Sequence, residues 1–539
     1  MRMDPIHIEN KHQLIQDYRY GRGEVSSFFD YHPFKSFQQR VADLQKRTFK
    51  RDELSHVLQT MNKQWTAPDS TISNIERLKD EQSVVVIGGQ QAGMMTGPLY
   101  TINKVISLIH CAKEQERKLN IPVIPVFWIA GEDHDYDEIN HIFLMHDHEM
   151  TKYKAPQHVM KKTSISNITI DQTKIENWVE QLFATFPETD HTKHLYKVVK
   201  VCLKKSTSYV DFFAHLIYKL FPDEGIVLVD SDHKQLRHLE SDYFVQMIQK
   251  QPDFAKVVYE TQEKLNSLGY NTPLDVVPED AHLFVHVNDD RILLKRDEAG
   301  NWVGKQNEIK LTTDDMLDMA VNAPDKLSNN VITRPLMQEL LFPSLAFVGG
   351  DGEIRYWAAL RKAFHILDMS MPPVLPRLSL TYIPRNIESL LEAWQMEASQ
   401  AINKGVSTVK ESWMNEQGDE RIEQTSHQLK KAVLTAHEPL RQLAEEIRAD
   451  IGDLAEKNLA ILNQQIDFLK KRMEKELQQK YRHQLDQLDM INAVLRPQNG
   501  LQERVWNILP YINMYGFEFL QNICNTSFSF EEEHYIVFL

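Results

Sequence analysis

Four apolar runs without polar alternation constrain the fold of this chain most strongly. They are SVVVIGG (83–89), IPVIPVFWIAG (121–131), GIVLVDSD (225–232) and SLAFVGGDGE (344–353), and a helical pattern follows each of them. Strands without alternation are buried on both faces, and intervening helices provide the crossovers of a parallel sheet. The sequence therefore predicts an α/β fold with a Rossmann-like core.

Long stretches of chain separate some of these runs. The gaps before the third and fourth runs are too long for simple loops, so we expect inserted subdomains at about 150–220 and 250–330 within a core of residues 1–385. Two alternating runs flank Asp297–Gly300 in the second insert, which indicates a β-hairpin within a small sheet of its own.

Residues 386–490 differ in character from the core. Glycine is rare, charge is high, and apolar residues recur at three and four positions. The seam that approximates a heptad pattern comprises Ile447, Ile451, Leu454, Leu459, Leu462, Ile466, Leu469 and Met473. We expect two or three long helices folded back as an antiparallel α-helical coiled coil, with breaks at Gly418–Asp419 and Pro439. Its apolar stripe pairs with itself or with a second copy, and residues 491–539 are expected to pack back on the core.

Composition argues against several classes of protein. The 539 residues are 42% hydrophobic and 25% charged, and the formal net charge of -15 argues against general binding of nucleic acid or anionic membranes. Cys111, Cys202 and Cys524 are too widely separated for a disulfide framework. The longest apolar run is far shorter than a membrane span, and the N-terminal residues lack a secretory pattern. We therefore expect a cytoplasmic protein.

The loop after the first strand has the composition of an anion site. Gly88 and Gly89 permit close backbone approach, and Pro98 suits the first position of a helix capped by Thr96 or Gly97. Free N–H groups at such a helix N-terminus attract phosphates. Neither the Walker motif nor the dinucleotide glycine motif is present, so a tight turn without ligand is an equal alternative. The substrate-binding candidates in this region are Gly88, Gly89, Gln90, Gln91 and Lys104.

The segment GEDHDYDEINH (131–141) follows the most apolar strand, at the edge where open α/β sheets bind their ligands. Glu132, Asp133 and His134 are the catalytic candidates, with His134 as a general base or a nucleotide contact whose pKa the neighbouring acids raise. Asp135 and Glu138 have the spacing of a capping box. A less favoured alternative is a metal site formed by His134, Asp137 and His141.

Arginines and aromatic residues supply the remaining candidates. Arg334 and Arg355 flank the fourth strand and could clamp carboxylate or phosphate groups, although a lone arginine more often binds neighbouring carbonyls. Segments 376–386 and 495–507 combine cations and rings at the root of the coiled coil, which suits a nucleotide, with a structural joint as the alternative. The nucleotide-binding candidates are Tyr382, Arg385, Asn386, Arg496, Arg504 and Trp506.

Five motifs in order carry a resemblance to a known family. GGQQAGMMTGPLYTINK, VFWIAGEDHDYDEINH, TRPLMQELLFPSLAFVGGDGEIRYWA, MPPVLPRLSLT and RPQNGLQER resemble the bacillithiol biosynthesis cysteine-adding enzymes, from about residue 80 to the end. The resemblance implies a ligase that joins L-cysteine to glucosaminyl-malate in the last step of bacillithiol formation. It also implies a fold similar to class I synthetases, with connecting inserts and a long coiled coil, in a homodimer.

The resemblance implies ATP or ADP as the nucleotide, since a carboxylate must be activated before an amide forms. The first loop lacks the histidine of the synthetase signature, so activation through an adenylate and through an acyl phosphate both stay open. His134 or Asp133 is then the base for the amine, and Lys104, Arg334 and Arg355 are candidates for the malate carboxylates. Related cysteine-activating enzymes use zinc, but no zinc ligand set is evident in this sequence. A catalytically degenerate synthetase-like protein, binding nucleotide or acting as a scaffold, is the alternative.

Overall fold

The computed structural model describes residues 2–288 and 290–539, and within them it forms fifteen strands. In chain order the strands are β1 (Arg2–Ile6), β2 (Val84–Gln90), β3 (Val123–Ile129), β4 (His141–His146), β5 (Glu149–Lys154), β6 (Val227–Asp230), β7 (Asp280–Val287), β8 (Asp290–Arg296), β9 (Trp302–Gly304), β10 (Lys310–Leu311), β11 (Leu327–Asn329), β12 (Ser344–Gly349), β13 (Val374–Pro376), β14 (Leu380–Ile383) and β15 (His534–Phe538).

The α-helices of the same residues flank these strands and build the C-terminal region. In chain order they are α1 (Gln13–Tyr20), α2 (Phe37–Leu44), α3 (Arg51–Gln64), α4 (Asp69–Arg77), α5 (Leu99–Leu119), α6 (Tyr136–Ile139), α7 (Gln172–Ala184), α8 (Thr192–Lys205), α9 (Tyr209–Leu220), α10 (Lys234–Leu239), α11 (Ser241–Ser267), α12 (Thr313–Asn322), α13 (Thr333–Leu341), α14 (Asp351–Trp357), α15 (Arg361–Ile366), α16 (Arg385–Ala393), α17 (Ala398–Lys404), α18 (Ser407–Glu416), α19 (Asp419–Ile447), α20 (Ala449–Lys480), α21 (Arg482–Leu495), α22 (Leu509–Tyr515) and α23 (Glu518–Cys524).

The central sheet is parallel and has the strand order β13-β12-β2-β3-β6. β2 pairs with β3 along its whole length, from Val84 opposite Val123 to Gln90 opposite Ile129. Every residue of β3 is buried, as a strand covered on both faces requires. The predicted α/β, Rossmann-like core is therefore confirmed, and the carboxyl ends of β2, β3 and β12 meet at one edge.

Two long connections interrupt this sheet. Between β3 and β6 the chain forms the β4–β5 hairpin and helices α7, α8 and α9. Between β6 and β12 it forms α11 and an antiparallel sheet in the order β10-β9-β8-β7-β11. Lys295 of β8 lies opposite Val303 of β9, which confirms the hairpin predicted around Asp297–Gly300. The domain limits given above stay predictions.

The two termini of the chain share a small sheet. β15 pairs antiparallel with β1 and parallel with β14, so Ile536 lies opposite both Asp4 and Thr381. The preceding tail lies against the core, because the backbone N–H of Leu99 donates to the carbonyl of Trp506 at 2.7 Å.

The helical region is an antiparallel hairpin of α19 and α20. Ion pairs Lys430–Asp467 and Arg441–Glu456 approach the turn from both sides, which fixes the antiparallel direction. The break at Gly418 is confirmed, but the break predicted at Pro439 is wrong. Pro439 lies within α19 on an exposed face, where water can reach the carbonyl that loses its helical N–H partner. The chain turns instead at Arg448, between α19 and α20.

None of the described helices combines the length and the apolar character that a bilayer span requires.

Candidate functional site

A cleft of about 400 Å³ opens at the carboxyl ends of β2, β3 and β12. This is the edge where an open α/β sheet binds its ligands. Carboxylates, amides and guanidinium groups dominate the cleft, with Trp128 and Phe347 at its base. The polar side chains that line it are Gln90, Gln91, Tyr100, Asp133, Glu138, Arg334, Gln338, Asp351, Glu353, Tyr356, Arg377 and Arg504.

Glu132 is fully buried beneath the cleft and does not line it. Its Oε1 accepts from Arg334 Nε at 2.8 Å, and its Oε2 accepts from Arg237 and from the backbone N–H of Asn329. Burial alone would raise the pKa of Glu132, but Arg237, Arg334 and Arg291 outweigh it and lower the pKa to about 2. The structure therefore does not support the predicted catalytic role of Glu132, because its carboxylate is buried, is held by arginines and lies outside the cleft lining.

Asp133, the next residue, does line the cleft and is 17% exposed. Its Oδ1 accepts from Arg334 Nη2 at 2.6 Å and from Arg291 Nη1 at 3.3 Å. Within residues 2–288 and 290–539, Oδ2 has no hydrogen-bond partner. Two arginines thus fix the carboxylate and leave one oxygen available to a ligand, as a general base requires.

His134 contacts the second long connection and is not one of the cleft-lining residues. Its Nδ1 lies 3.4 Å from Arg291 Nη1, and its ring meets the edge of Phe284. Burial, together with Arg291 and Lys162, lowers the pKa of His134 despite the neighbouring Asp135 and Asp133. The predicted rise in this pKa is therefore wrong.

The sequence did not indicate Arg291 or Arg237, although these arginines bind Asp133 and Glu132, respectively. Arg291 belongs to β8, its side chain is buried, and it also donates to Asn329 O at 2.7 Å. Arg237 lies in α10 and binds Glu240 as well as Glu132. Neither arginine stands in a recognisable motif, so only the tertiary structure reveals their role.

Helix α6 does not begin with the predicted capping box. Asp135 is its N-terminal cap, but the carboxylate accepts no hydrogen bond from the helix. The side chain of Glu138 projects instead into the cleft. The alternative metal site is not formed either, because Asp137 binds Lys154, and no cluster of three His, Cys, Asp or Glu side chains in the described part of the chain is arranged for a metal.

The two glycines near the end of β2, Gly88 and Gly89, serve packing within the sheet. A Cβ on Gly88 would lie 2.6 Å from the carbonyl of Val348, and one on Gly89 would lie 2.3 Å from the carbonyl of Trp128. The sequence predicted that another group comes close to the backbone at these glycines. In the structure, that group is a carbonyl of a neighbouring strand. Gly89 also lines the cleft, as do Gln90 and Gln91, whereas Gly88 does not.

The tail caps the N-terminus of α5, where an anion was expected. Besides the bond from Leu99 to Trp506, the amide of Asn507 donates to the carbonyls of Met95 at 2.8 Å and Gly97 at 2.6 Å. The helix begins at Leu99 with Pro98 as its cap, so the predicted cap at Thr96 or Gly97 is wrong. The tail therefore uses the Leu99 N–H, which the prediction had left free for a phosphate.

Lys104 is buried, and its ammonium group is fully used within the protein. It donates to Gly89 O at 2.7 Å, Gln90 Oε1 at 3.1 Å and Glu353 Oε2 at 2.5 Å. An ammonium group has three N–H donors. The structure therefore does not support the predicted direct contact of Lys104 with substrate, and this lysine fixes Glu353 and Gln90 at the cleft wall.

The arginines of the site differ in how many of their N–H donors already bind other residues of the protein. Arg355 donates to Asn271 O and does not line the cleft, so its predicted role in substrate binding is not supported. Arg334 lines the cleft but pairs with two carboxylates, and Arg377 is bidentate to Glu503. Arg504 is exposed, and its side chain has no hydrogen-bond or ion-pair partner in residues 2–288 and 290–539.

The structure does not bring the six nucleotide candidates together. Tyr382 is buried, and its hydroxyl donates to Asn103 Oδ1 at 3.0 Å, so it cannot stack on a base. Arg496 donates to Ile402 O, while Arg385 is exposed. Arg504 lines the cleft. A second, more apolar cavity of about 300 Å³ is lined by Asn386 and Trp506, together with Tyr511, Asn513 and Tyr515.

Known proteins and family models match this chain along nearly its whole length. Residues 1–378 match the family model described as "Bacillithiol biosynthesis BshC, N-terminal Rossmann-like domain", and residues 380–539 match "Bacillithiol biosynthesis BshC, C-terminal coiled-coil domain". A protein of Oceanobacillus iheyensis is 40% identical over 543 residues, covering 100% of both chains. A Bacillus cereus protein is 40% identical over 525 residues, covering 97% of both chains, and both relatives carry the name "Putative cysteine ligase BshC". The resemblance found in the sequence is thus confirmed, and the chain belongs to the BshC family of bacillithiol biosynthesis.

Proposed function

We propose that this protein is a ligase that joins L-cysteine to glucosaminyl-malate by an amide bond, in the last step of bacillithiol formation. The names of its relatives support the use of cysteine. The observation that carries the proposal is the cleft itself, where the Asp133 carboxylate faces the same space as Arg504, a guanidinium without a partner among the described residues.

The reaction requires that the cysteine carboxylate be activated by ATP as co-substrate. Its oxygen bonds to phosphorus, giving either an acyl phosphate with release of ADP or an acyl adenylate with release of pyrophosphate. The neutral amine of glucosamine then attacks the acyl carbon, a C–N bond forms, and the bond from that carbon to the phosphate-bearing oxygen breaks. Asp133 takes the proton that the amine loses, because its free oxygen faces the cleft while Arg334 and Arg291 hold the other.

The malate portion of the substrate carries two carboxylates and needs cations. Arg504 supplies a guanidinium that can bind a carboxylate in a bidentate manner. Arg377 lies at the same wall of the cleft, but Glu503 already holds it. We therefore assign the first contact with the malate group to Arg504.

The cleft is the first candidate for the nucleotide, since phosphorus and the cysteine carboxylate have to meet. The more apolar cavity beside Trp506 and Tyr511 is a second candidate, because aromatic rings and the amides of Asn386 and Asn513 suit a purine. Met514→Glu introduces a charge at that cavity and separates the two: a raised KM for ATP would assign the nucleotide to it, and an unchanged KM would leave the nucleotide in the cleft.

Zinc does not fit the donors that the structure offers. Cys111, Cys202 and Cys524 are all buried in different elements, and burial raises the pKa of the Cys202 thiol to about 11. Protonated, scattered thiols are poor metal ligands. The proposed reaction therefore contains no step at zinc.

Buried free thiols also agree with a reducing cytoplasm, which is where we place the protein.

We further infer a homodimer that forms through the helical hairpin. Ile447 is 68% exposed at its tip, and Leu443, Leu454, Phe468 and Leu469 are exposed along it. A second copy packed against the hairpin would remove these apolar side chains from water. Ile447→Glu combined with Leu454→Glu should convert a dimer to a monomer in light scattering, whereas Lys457→Glu on the same helix should not. A wild-type protein that is monomeric at micromolar concentration would contradict the inference.

The direct test of the function is product formation followed by mass spectrometry. Wild-type protein with L-cysteine, glucosaminyl-malate and ATP should give bacillithiol and either ADP or AMP. Asp133→Asn should lower turnover by about 10²–10⁴, the range for loss of a general base, with the fold unchanged. Asp147→Asn, on an exposed turn, is the matched control. Absence of product with folded wild-type protein would favour the degenerate scaffold.

A further inference from the structure

A small niche extends from the cleft behind α6 and the first loop. It has a volume of about 30 Å³ and shares Gln90, Gln91, Tyr100 and Glu138 with the cleft, so a ligand in the cleft can reach it. Its far wall is formed by the start of β4, with His141, Ile142 and Phe143, and by the tail residue Val505. The mechanism described above uses none of these far-wall residues.

The size of the niche limits what can enter it. About 10–15 Å³ is the least that one water molecule needs, so this volume suits about two non-hydrogen atoms. A sugar ring and a malate group are both too large. Since no lysine or arginine of the described residues lines the niche, it also has no counter-ion for a carboxylate or a phosphate.

The chemistry of the niche is that of a small, weakly polar group. Ile142, Phe143 and Val505 provide apolar walls, while His141 provides an imidazole. Nδ1 of His141 is buried and has no hydrogen-bond partner among the residues described. Burial, helped by Lys152, lowers the pKa of His141 to about 4, so the ring is neutral near pH 7 and one nitrogen can accept a hydrogen bond. A thiol is a weak donor with an apolar, polarisable sulfur.

Glu138 stands where the niche joins the cleft. It is exposed, and its carboxylate has no hydrogen-bond or ion-pair partner within residues 2–288 and 290–539. The capping role predicted for Glu138 is absent, because the capping-box hydrogen bonds do not form at the start of α6. If the ammonium group of a ligand binds the Glu138 carboxylate, the ligand atoms next to that ammonium group lie between the niche and Asp133.

We propose that the niche binds the thiol side chain of the substrate cysteine, that Glu138 binds its α-ammonium group, and that the α-carboxylate thereby faces the cleft. This assignment rests on the proposed function and deepens it, since it names the residues that select cysteine. The two heavy atoms of the side chain match the volume, and the sulfur meets both the apolar walls and the imidazole. Serine presents a smaller and more strongly hydrated group, so the niche favours cysteine.

Calorimetry of the full-length protein tests the assignment, with L-cysteine, L-serine and glucosaminyl-malate titrated separately in the presence of a non-hydrolysable ATP analogue. Glu138→Gln should weaken cysteine binding at least 10-fold, and His141→Phe should lower the preference for cysteine over serine by about 10-fold. His141→Phe should bind glucosaminyl-malate as the wild type does, because His141 does not line the cleft. The matched controls are Glu149→Gln and His146→Phe, on exposed positions of the same hairpin, and they should change neither affinity.

The outcomes separate this assignment from the function on which it rests. If wild-type protein binds glucosaminyl-malate but Glu138→Gln binds cysteine normally, or His141→Phe weakens cysteine and serine equally, the niche is not the thiol site and the ligase proposal stands. Wild-type binding of glucosaminyl-malate without any binding of cysteine also overturns the assignment. If wild-type protein does not bind glucosaminyl-malate, the proposed function falls, and the cysteine titrations still decide the niche.

Discussion

Two sets of charged side chains lie at the same sheet edge and differ in one respect. Glu132 and Lys104 lie below the cleft, are buried, and have every charged contact satisfied by other residues. Glu138 and Arg504 lie in the cleft, are exposed, and have no partners among the described residues. All four stand in or beside motifs that indicate function, yet only the second pair can bind a ligand without breaking the protein's own contacts. A binding site is therefore recognised by side chains whose hydrogen-bonding atoms are still available to a ligand, and not by residue type alone.

The largest expected effect comes from breaking the buried set. Glu132→Ala removes one carboxylate and leaves Arg237 and Arg334 without their partner, which should lower the free energy of unfolding by about 3–5 kcal/mol. Chemical denaturation measures this loss. Glu149→Ala, an exposed glutamate, should change it by no more than about 0.5 kcal/mol. Equal stability of the two variants would mean that Glu132 is not a structural anchor.

The buried ion pair of Glu503 and Arg377 should make the free energy of unfolding depend on pH. Burial would raise the pKa of Glu503, but Arg377 outweighs burial and lowers it to about 2, below the value of an unfolded glutamate. The pair therefore stabilises the fold above about pH 4.3 and loses this contribution as the pH falls toward 2. Urea unfolding of Glu503→Gln should show its largest deficit against the wild type at pH 7 and a smaller one at pH 3. A deficit that is constant with pH would contradict the assigned pKa.

The smallest effect is expected at His134. The motif predicts it as the base, but its ring lies against Phe284 and Arg291 and outside the cleft lining. We expect His134→Phe to lower turnover by less than about 10-fold, well short of the loss at Asp133. Steady-state kinetics of the two variants side by side decide this. A loss at His134 as large as that of Asp133→Asn would restore the histidine as the base.

The sequence predicted the fold better than the site, for physical reasons. An apolar strand such as β3 is buried whatever surrounds it, so its composition predicts both the strand and its place in a parallel sheet. Pro439 failed as a predicted break because exposure to water, a tertiary property, lets the helix continue. Likewise, Glu132 and Asp133 are neighbours in one motif, and only the distant Arg237 and Arg291 decide which is buried and which faces the cleft.

We propose that the cleft binds glucosaminyl-malate through the guanidinium of Arg504. Calorimetric titration of that ligand into wild-type protein, Arg504→Met and the control Arg482→Met, whose arginine is exposed on α21, tests it most directly. A charge-assisted hydrogen bond contributes about 1.5–3 kcal/mol, so we expect Arg504→Met to weaken binding about 10–100-fold without loss of thermal stability, and Arg482→Met to bind normally. Wild-type affinity in Arg504→Met would contradict the claim and move the substrate site elsewhere.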